Sequence, residues 1–134
     1  MDNDKIVFKE LSYKVVGFAL QVHNELGHGF LEKVYENAMM VLLRREGITA
    51  LQQVPITVRF LNEIVGDYFA DILVDDKIIL ELKSIEKIND AHRAQALNYL
   101  KGTGKQLAII LNFGKEKLEY ERFVYHPSFK IRDN

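Results

Sequence analysis

The stretch that decides the fold is residues 66–85, GDYFADILVDDKIILELKSI. Its composition predicts two strands joined by a short turn at Asp75 and Asp76. Side chains in a strand alternate between its two faces, so Glu81 and Lys83 point one way while the leucines beside them point the other. A carboxylate and an ammonium within a mostly apolar run are costly to bury unless they are paired, solvated or bound to a metal.

Pairing of these two strands would bring Asp71 close to Glu81 and Lys83. Two carboxylates and a lysine at one point can hold a divalent cation and a nucleophilic water, and hard oxygen ligands suit Mg²⁺ or Mn²⁺. Simpler interpretations stay open. Asp71 would then be a solvated residue on an edge strand, and Glu81 and Lys83 an exposed ion pair that contributes little to stability.

The composition is that of a single soluble domain. The chain has 134 residues, 48% of them hydrophobic and 28% charged, which predicts one domain over 1–134 with loose ends at about 1–6 and 127–134. No apolar run approaches the roughly 20 residues of a membrane span, and the polar start is unlike a secretory signal. The absence of cysteine excludes disulfides and thiolate metal sites and fits a cytoplasmic location.

The charge balance bears on the partner. A formal net charge of -1 lacks the basic surplus usual in dedicated nucleic-acid binders, so any such binding must use a local basic patch. The residues available for such a patch, most of them also explicable as ordinary solvated surface, are Arg44, Arg45, Lys87, Arg93, Lys101 and Lys105.

Periodicity predicts eight elements in the order α-α-β-β-β-α-β-β. Helices are expected over about 10–26, 30–45 and 90–101, and strands over about 53–61, 64–74, 77–85, 106–112 and 118–125. Asn89 or Asp90 can cap the third helix, Gly66 indicates a bulge, and the nearly continuous apolar run LAIILN predicts a strand buried on both faces. The predicted apolar stripes of the three helices are Leu11, Val15, Phe18, Val22 and Leu26; then Leu31, Val34, Ala38 and Leu42; then Ala91, Ala94, Leu97 and Leu100. Hairpins followed by a crossover helix indicate a central mixed β-sheet flanked by helices.

The order of the polar residues resembles the PD-(D/E)XK nuclease superfamily. An acidic residue in one strand is Asp71, the Glu-x-Lys of the next is Glu81 to Lys83, and the glutamine of the following helix is Gln95. The Pro-Asp dipeptide in the name of the superfamily is absent here, because Ala70 precedes Asp71. A second motif, GFLEKVY at 29–35, is similar to the signature of the GxxExxY proteins, a bacterial branch of that superfamily. The resemblance extends from about residue 6 to 125 and implies a restriction-endonuclease-like core.

The resemblance also implies roles for individual residues. Asp71 and Glu81 would be the metal ligands, with the backbone carbonyl of Leu82 and the carboxylate of Glu32 as further ligands, and Lys83 would position or help deprotonate the attacking water. Gln95 is expected to take part in catalysis, and the residues expected at the substrate are Gln95, Tyr99 and Tyr35. Alternatives are a surface role for Glu32 at a helix start, where the macrodipole favours a negative charge, an exposed polar face for Gln95, and a packing role for Tyr35.

Two functions of different classes follow. The first is a Mg²⁺-dependent nuclease that hydrolyses phosphodiester bonds of DNA, or less favourably RNA, through a metal-activated water, with a homodimer as a possible form. The second is a catalytically silent module that keeps the fold and binds nucleic acid or a protein partner, which the nearly neutral charge favours. A third hypothesis is a metal-free structural protein. In such a protein Asp71, Glu81 and Lys83 would lie far apart or point into solvent.

Overall fold

The computed structural model describes residues 7–126, so the predicted loose ends at 1–6 and 127–134 lie outside the described range. Within it, the eight predicted elements occur in the predicted order. They are α1 (Lys9–Leu26), α2 (Glu32–Arg45), β1 (Ala50–Phe60), β2 (Glu63–Val74), β3 (Ile78–Lys83), α3 (Asp90–Thr103), β4 (Leu107–Asn112) and β5 (Glu119–Val124).

The five strands form one mixed sheet in the sequential order β1-β2-β3-β4-β5. The only parallel pair among the described strands is β3 with β4, and α3 makes the crossover between them. Asn89 caps α3 by accepting a hydrogen bond from the backbone N–H of His92 at 3.0 Å, as the sequence predicts. Strand β4, LAIILN, is buried along its whole length, which confirms the prediction made from its continuous apolar run.

Helices cover both faces of the sheet and create two apolar cores. On one face α1 and α2 pack against β-strand residues that include Ile72, Leu80 and Leu82. On the other face α3 packs against residues that include Ile79 and Ile110. This is the predicted α/β architecture, a mixed sheet flanked by helices. None of the helices within 7–126 is long and apolar enough to cross a membrane.

The predicted apolar stripes of α2 and α3 are right only in part: Ala38 and Leu42 of α2 pack against the core, but the other two predicted residues of that helix are exposed. In α2 the predicted Leu31 and Val34 are 81% and 39% exposed, and the face that packs inward is one position further on. In α3 only Leu100 of the predicted stripe is buried. The residues that α2 and α3 bury are Tyr35, Glu36, Met39, Met40 and Leu43, and Ala96, Tyr99 and Leu100. The buried face of α2 includes Tyr35 and Glu36, and that of α3 includes Tyr99. Because these side chains are aromatic or polar, the spacing of aliphatic residues along the sequence does not reveal either face.

Strands β1 and β2 continue well beyond the rest of the sheet. β2 pairs with β3 only from Val74 back to Ile72, so residues 55–69, here called the arm, pair only with each other in the sheet. The arm turns at Leu61 and Asn62, which both have positive φ, as type I′ hairpin turns require. Its register shifts between Val58 and Arg59, opposite Gly66, where the sequence indicates a bulge. Its exposed apolar side chains are Phe60, Leu61, Ile64, Val65, Tyr68 and Phe69.

The alternation of faces breaks once in each of these strands, at Gln53 in β1 and at Asp71 in β2. In β2, Ile72 packs in the α1–α2 core, whereas Ala70, two positions away, packs in the α3 core. In β1, the side chain of Gln52 reaches α2, whereas Val54 packs with the α3 core. Residues two apart in a regular strand share a face. The break therefore sets Asp71 between the two layers, within reach of groups from both.

Candidate active site

The site forms where β2 and β3 separate. The last pair of their ladder is Ile72 with Leu80, and one residue further on the carboxylate of Asp71 replaces the missing backbone acceptor. Its Oδ2 accepts a hydrogen bond from the backbone N–H of Leu82 at 2.8 Å. Asp71 is thereby fixed to β3 beside Glu81, so the structure brings together the two carboxylates that the sequence places on adjacent strands.

Glu81 is a buried carboxyl with an unsatisfied oxygen. The residue is 5% exposed, and its Oε2 has no hydrogen-bond partner within the described chain. Burial first, and then the negative charge of Asp71, raises the pKa of Glu81 to about 8, although Lys83 acts in the opposite direction. The residues described include no ion-pair partner of Glu81 within 4.0 Å. The interpretation of Glu81 and Lys83 as an exposed ion pair is therefore wrong.

Asp71 is half-buried, and its pKa is raised from the usual value. Desolvation by burial is the largest cause, and the charges of Glu36 and Glu32 add to it. The hydrogen bonds from the Leu82 amide and the Gln53 side chain lower the pKa but do not cancel the rise. Two carboxylates of α2 therefore act on the Asp71–Glu81 pair from the side opposite α3.

Glu36 belongs to this cluster and is absent from the residues that the sequence singles out. It is 3% exposed, and its carboxylate accepts hydrogen bonds from Lys33 at 3.1 Å, Gln52 at 2.7 Å and Gln53 at 3.1 Å. A glutamate between Tyr35 and Met39 on the buried stripe is the signal that could have found it, because a fully buried carboxylate requires partners. The shifted prediction of the α2 stripe placed it on the outer face.

Glu32 begins α2 at the edge of the site. Its carboxylate lies 3.4 Å from the backbone nitrogen of Ser84, just after β3, and the Ser84 hydroxyl donates to the carbonyl of Phe30 at 2.9 Å. Its charge raises the pKa of both Asp71 and Glu81. The structure thus puts Glu32 within electrostatic reach of the predicted ligand pair, while its role as a ligand stays a prediction.

Tyr35 is enclosed by the loop that leads into α2. It has no exposed surface, its hydroxyl donates to the Gly27 carbonyl at 2.6 Å and accepts from the Phe30 N–H at 3.2 Å, and its ring stacks on Phe113 at 4.5 Å. A side chain with no exposed surface in this structure cannot touch a substrate in this conformation. Its geometry is that of a packing residue that holds the 27–31 loop, and with it the start of α2, against the sheet.

Helix α3 contributes from the opposite face of the sheet. Tyr99 is 6% exposed, lies 5.8 Å from Tyr68 between ring centroids, and has its pKa raised to about 12, first by burial and then by the charges of Glu81 and Asp71. Its hydroxyl therefore stays protonated at neutral pH. Gln95 lies one turn earlier and is partly buried, with no side-chain hydrogen bond to other described residues. Its predicted contact with the site stays a prediction.

The donor set decides whether a metal ion fits. Within residues 7–126, no three His, Cys, Asp or Glu side chains are arranged to hold a metal ion by themselves. Mg²⁺ does not need such a cage, because it usually takes one or two carboxylates and completes its shell with waters and substrate phosphate. Asp71 and Glu81 supply those two carboxylates. The unpartnered Oε2 of Glu81 is the kind of buried oxygen that a cation would satisfy, so the residues fit the ion.

The predicted basic patch is in part already neutralised. Arg93 forms ion pairs with Glu121 at 2.7 Å and Asp90 at 2.7 Å, and Lys105 pairs with Asp76 at 2.9 Å. Both cations therefore already have acidic partners, which reduces the positive charge that they offer to phosphates. The remaining candidates, Arg44, Arg45, Lys87 and Lys101, make no ion pair with a described residue.

Comparison with known proteins adds one finding to this geometry. A family model described as the PD-(D/E)XK nuclease superfamily matches residues 9–123. The matched range runs from the first residue of α1 almost to the end of β5 and includes every residue of the cluster around Asp71 and Glu81. No curated protein matches the chain.

Proposed function

Because the chain belongs to the PD-(D/E)XK nuclease superfamily, we propose that it is a Mg²⁺-dependent nuclease that hydrolyses phosphodiester bonds of DNA, or less favourably RNA. The observation that carries the proposal is the pair formed by Asp71 and Glu81. The second of these carboxyls is buried with an oxygen that has no partner in the described chain. Burying such a carboxyl in its charged form is costly, so it either keeps a proton or is bound by a group that the protein does not itself supply.

Asp71 and Glu81 would hold the ion, with the carbonyl of Leu82 and the carboxylate of Glu32 as further candidates. Bound Mg²⁺ would neutralise charge on the scissile phosphate and lower the pKa of an attacking water. The Leu82 amide keeps the Asp71 carboxylate facing β3, so that one oxygen is held and the other remains beside Gln53. This fixed orientation supports the proposal, because oxygen atoms that are already oriented would need little reorganisation to bind an ion.

Lys83 follows Glu81 by two residues on the same strand and is half-buried. Its charge acts on the Glu81 carboxyl, which shows that the two groups are close enough to interact. The described residues provide Lys83 with no hydrogen-bonded acceptor, so its ammonium is available to orient the water or to stabilise negative charge on the phosphate. Tyr99 keeps its proton, so its hydroxyl can donate to a phosphate oxygen, and Gln95 is the other candidate on α3.

The 29–35 motif supports placement in the GxxExxY branch. In the structure its glutamate acts electrostatically on the predicted ligands, and its tyrosine packs beneath the loop. One motif therefore supplies both a group for the site and the packing that holds this group in place. The homodimer allowed by the resemblance stays a prediction, because the structure contains one chain.

The experiment is a calorimetric Mn²⁺ titration combined with a cleavage assay. Wild type is compared with Asp71→Asn and Glu81→Gln, and single-stranded, duplex and branched DNA and RNA are each offered as substrate. Asp67→Asn is the matched control, because Asp67 is an exposed carboxylate on the same strand. We expect metal binding and cleavage to be lost in the two site variants and kept in the control. If the wild-type protein binds no Mn²⁺ in the titration, the proposal is contradicted.

The alternative function is a silent module that binds a protein partner. The arm supports it, because six large apolar side chains of residues 60–69 are between 46% and 79% exposed, and such patches usually mark interaction surfaces. The same titration separates the two functions. A nuclease-fold module that has lost catalysis would bind no metal at Asp71 and Glu81, whereas metal binding without cleavage would point to a substrate not yet offered.

A further inference from the structure

Gln53 has a backbone conformation that glutamine seldom adopts. It lies inside β1 with φ at 53°, in the left-handed region that strongly favours glycine, asparagine and aspartate. It is also the residue at which β1 changes the face that its side chains present. A strained residue in the middle of a strand persists only where the surrounding structure enforces it, and such residues concentrate at functional sites.

The strained backbone aims the Gln53 amide between two carboxylates. Its Nε2 lies 3.1 Å from Oε1 of Glu36 and 3.4 Å from Oδ1 of Asp71. The other oxygen of Asp71 is held by the Leu82 amide, and the other oxygen of Glu36 by Lys33 and Gln52. Each oxygen of Asp71 therefore has one donor: the Leu82 amide at 2.8 Å holds one oxygen, and the longer contact with Gln53 at 3.4 Å restrains the other.

The amide also separates like charges. Glu36 acts on Asp71 through its negative charge, and Gln53 acts in the opposite direction by hydrogen bonding. Without a neutral donor between them, the two carboxylates would repel each other, and the half-buried Asp71 would be free to turn away from β3. Gln52 differs, because its amide contacts Glu36 and Asn37 and makes no hydrogen bond to Asp71.

We propose that Gln53 is a positioning residue that orients the Asp71 carboxylate for metal binding, with Glu36 as the buried anchor of its amide. This inference rests on the proposed function, because it assumes that Asp71 is a ligand. Groups that orient ligands in this way typically change metal affinity by about 10–100-fold when they are removed. Neither residue belongs to the motifs that the sequence shares with the superfamily.

The test uses a substitution that separates positioning from stability. Gln53→Gly removes the amide but suits the left-handed backbone, so relief of backbone strain should largely offset the lost hydrogen bonds, and we expect a urea midpoint close to that of the wild type. Its Mn²⁺ affinity should nevertheless fall by about tenfold. Gln53→Asn tolerates the same backbone and keeps a shorter amide, so it should recover part of the affinity. The control, Gln52→Ala, removes a donor to Glu36 and Asn37 but none to Asp71, and should leave Mn²⁺ affinity within about twofold of the wild type.

A metal-free measurement completes the test. The side-chain amide resonances of Gln53 in a ¹⁵N NMR spectrum should shift in Asp71→Asn and stay in place in Asp67→Asn. Unshifted amide resonances, or unchanged Mn²⁺ affinity in Gln53→Gly, would overturn the positioning role. If the wild type itself binds no Mn²⁺, the proposed function fails and the positioning role fails with it, and that outcome is recognised without any Gln53 variant.

Discussion

Glu81 is almost fully buried on a strand whose neighbouring residues are leucines, and its pKa of about 8 lies above the usual 4.5. The folded protein without metal therefore keeps a proton on Glu81 that the unfolded chain releases. Linkage gives the sign: the stability conferred by this proton is complete below the unfolded pKa and is lost as pH rises through the folded pKa. Metal-free protein should be less stable at pH 8 than at pH 5.5 for this reason.

Glu81→Gln is expected to remove that slope, because glutamine does not titrate. Between about pH 5.5 and 8.5 the wild type should lose on the order of a few kcal/mol more unfolding free energy than the variant. The measurement is urea unfolding of both proteins in EDTA at the two pH values. All other titrating groups are shared, so their contributions cancel in the comparison. Parallel pH dependence in the two proteins would contradict the burial of an ionisable carboxyl.

At the same scale, the sequence identified four of the clustered residues, one of them Glu32 of the 29–35 motif, and missed two. Asp71, Glu81 and Lys83 could be found because charged residues inside apolar strands are conspicuous. Glu36 and Gln53 could not, because a glutamate in a helix and a glutamine in a strand are ordinary in sequence. Their significance comes from the burial of one and the left-handed backbone of the other.

At the scale of elements, the loop after β3 is held by the end of β4. The side chain of Asn112 accepts from the backbone N–H of Ile85 at 3.0 Å and donates to its carbonyl at 3.0 Å. Gly114 lies so close that an added Cβ would meet Ile85 backbone atoms at 2.3 and 2.4 Å. This contact fixes the segment containing Ser84, to which Glu32 and Phe30 are hydrogen-bonded.

Gly114→Ala should therefore destabilise the protein by about 1–3 kcal/mol or more, because backbone, which cannot move aside cheaply, occupies the space. Gly17→Ala is the matched control: Gly17 lies inside α1 with open space around it, so alanine there should add up to about 1 kcal/mol. Urea denaturation of the three proteins measures both effects. Equal stability of the two variants would mean that the 84–85 segment does not pack on Gly114 as described.

Most features of the secondary structure could be predicted from the sequence, but the inward faces of two helices could not. Element order, the Asn89 cap, the Asp75–Asp76 turn and the buried β4 could be predicted because they depend on local preferences and periodicity. The inward faces of α2 and α3 were mispredicted because aromatic and polar side chains occupy them. Which side of a helix meets a sheet is decided by tertiary packing.

At the scale of the whole molecule, the negative charge of the protein disfavours binding of a nucleic acid, the proposed substrate. The formal net charge is -1, and the site gathers the carboxylates of Glu32, Glu36 and Asp71 beside Glu81, whose pKa of about 8 leaves it mostly protonated at neutral pH. Arg93 and Lys105 are occupied by ion pairs. A phosphodiester would be repelled from such a site unless a cation were bound there first.

Binding of nucleic acid should therefore depend on a divalent cation. With Ca²⁺, which takes the same oxygen ligands, we expect the protein to bind fluorescein-labelled single-stranded DNA, measured by anisotropy, at least about tenfold more tightly than in EDTA. Asp71→Asn should abolish the difference, and Asp67→Asn should retain it. Equal affinity with Ca²⁺ and in EDTA would show that a basic surface away from the carboxylates carries the binding.

By itself, the sequence determined the elements, their order and the superfamily. These depend on periodicity, on capping residues and on the spacing of Asp71, Glu81 and Lys83, all of which are local features of the sequence. Only the tertiary structure decided that Glu81 is buried with an unpartnered oxygen, and that Glu36 and Gln53 join the site. The physical reason is that burial and hydrogen-bond partners arise from contacts between elements far apart in sequence. Local preference does not specify where β1, α2 and β3 meet.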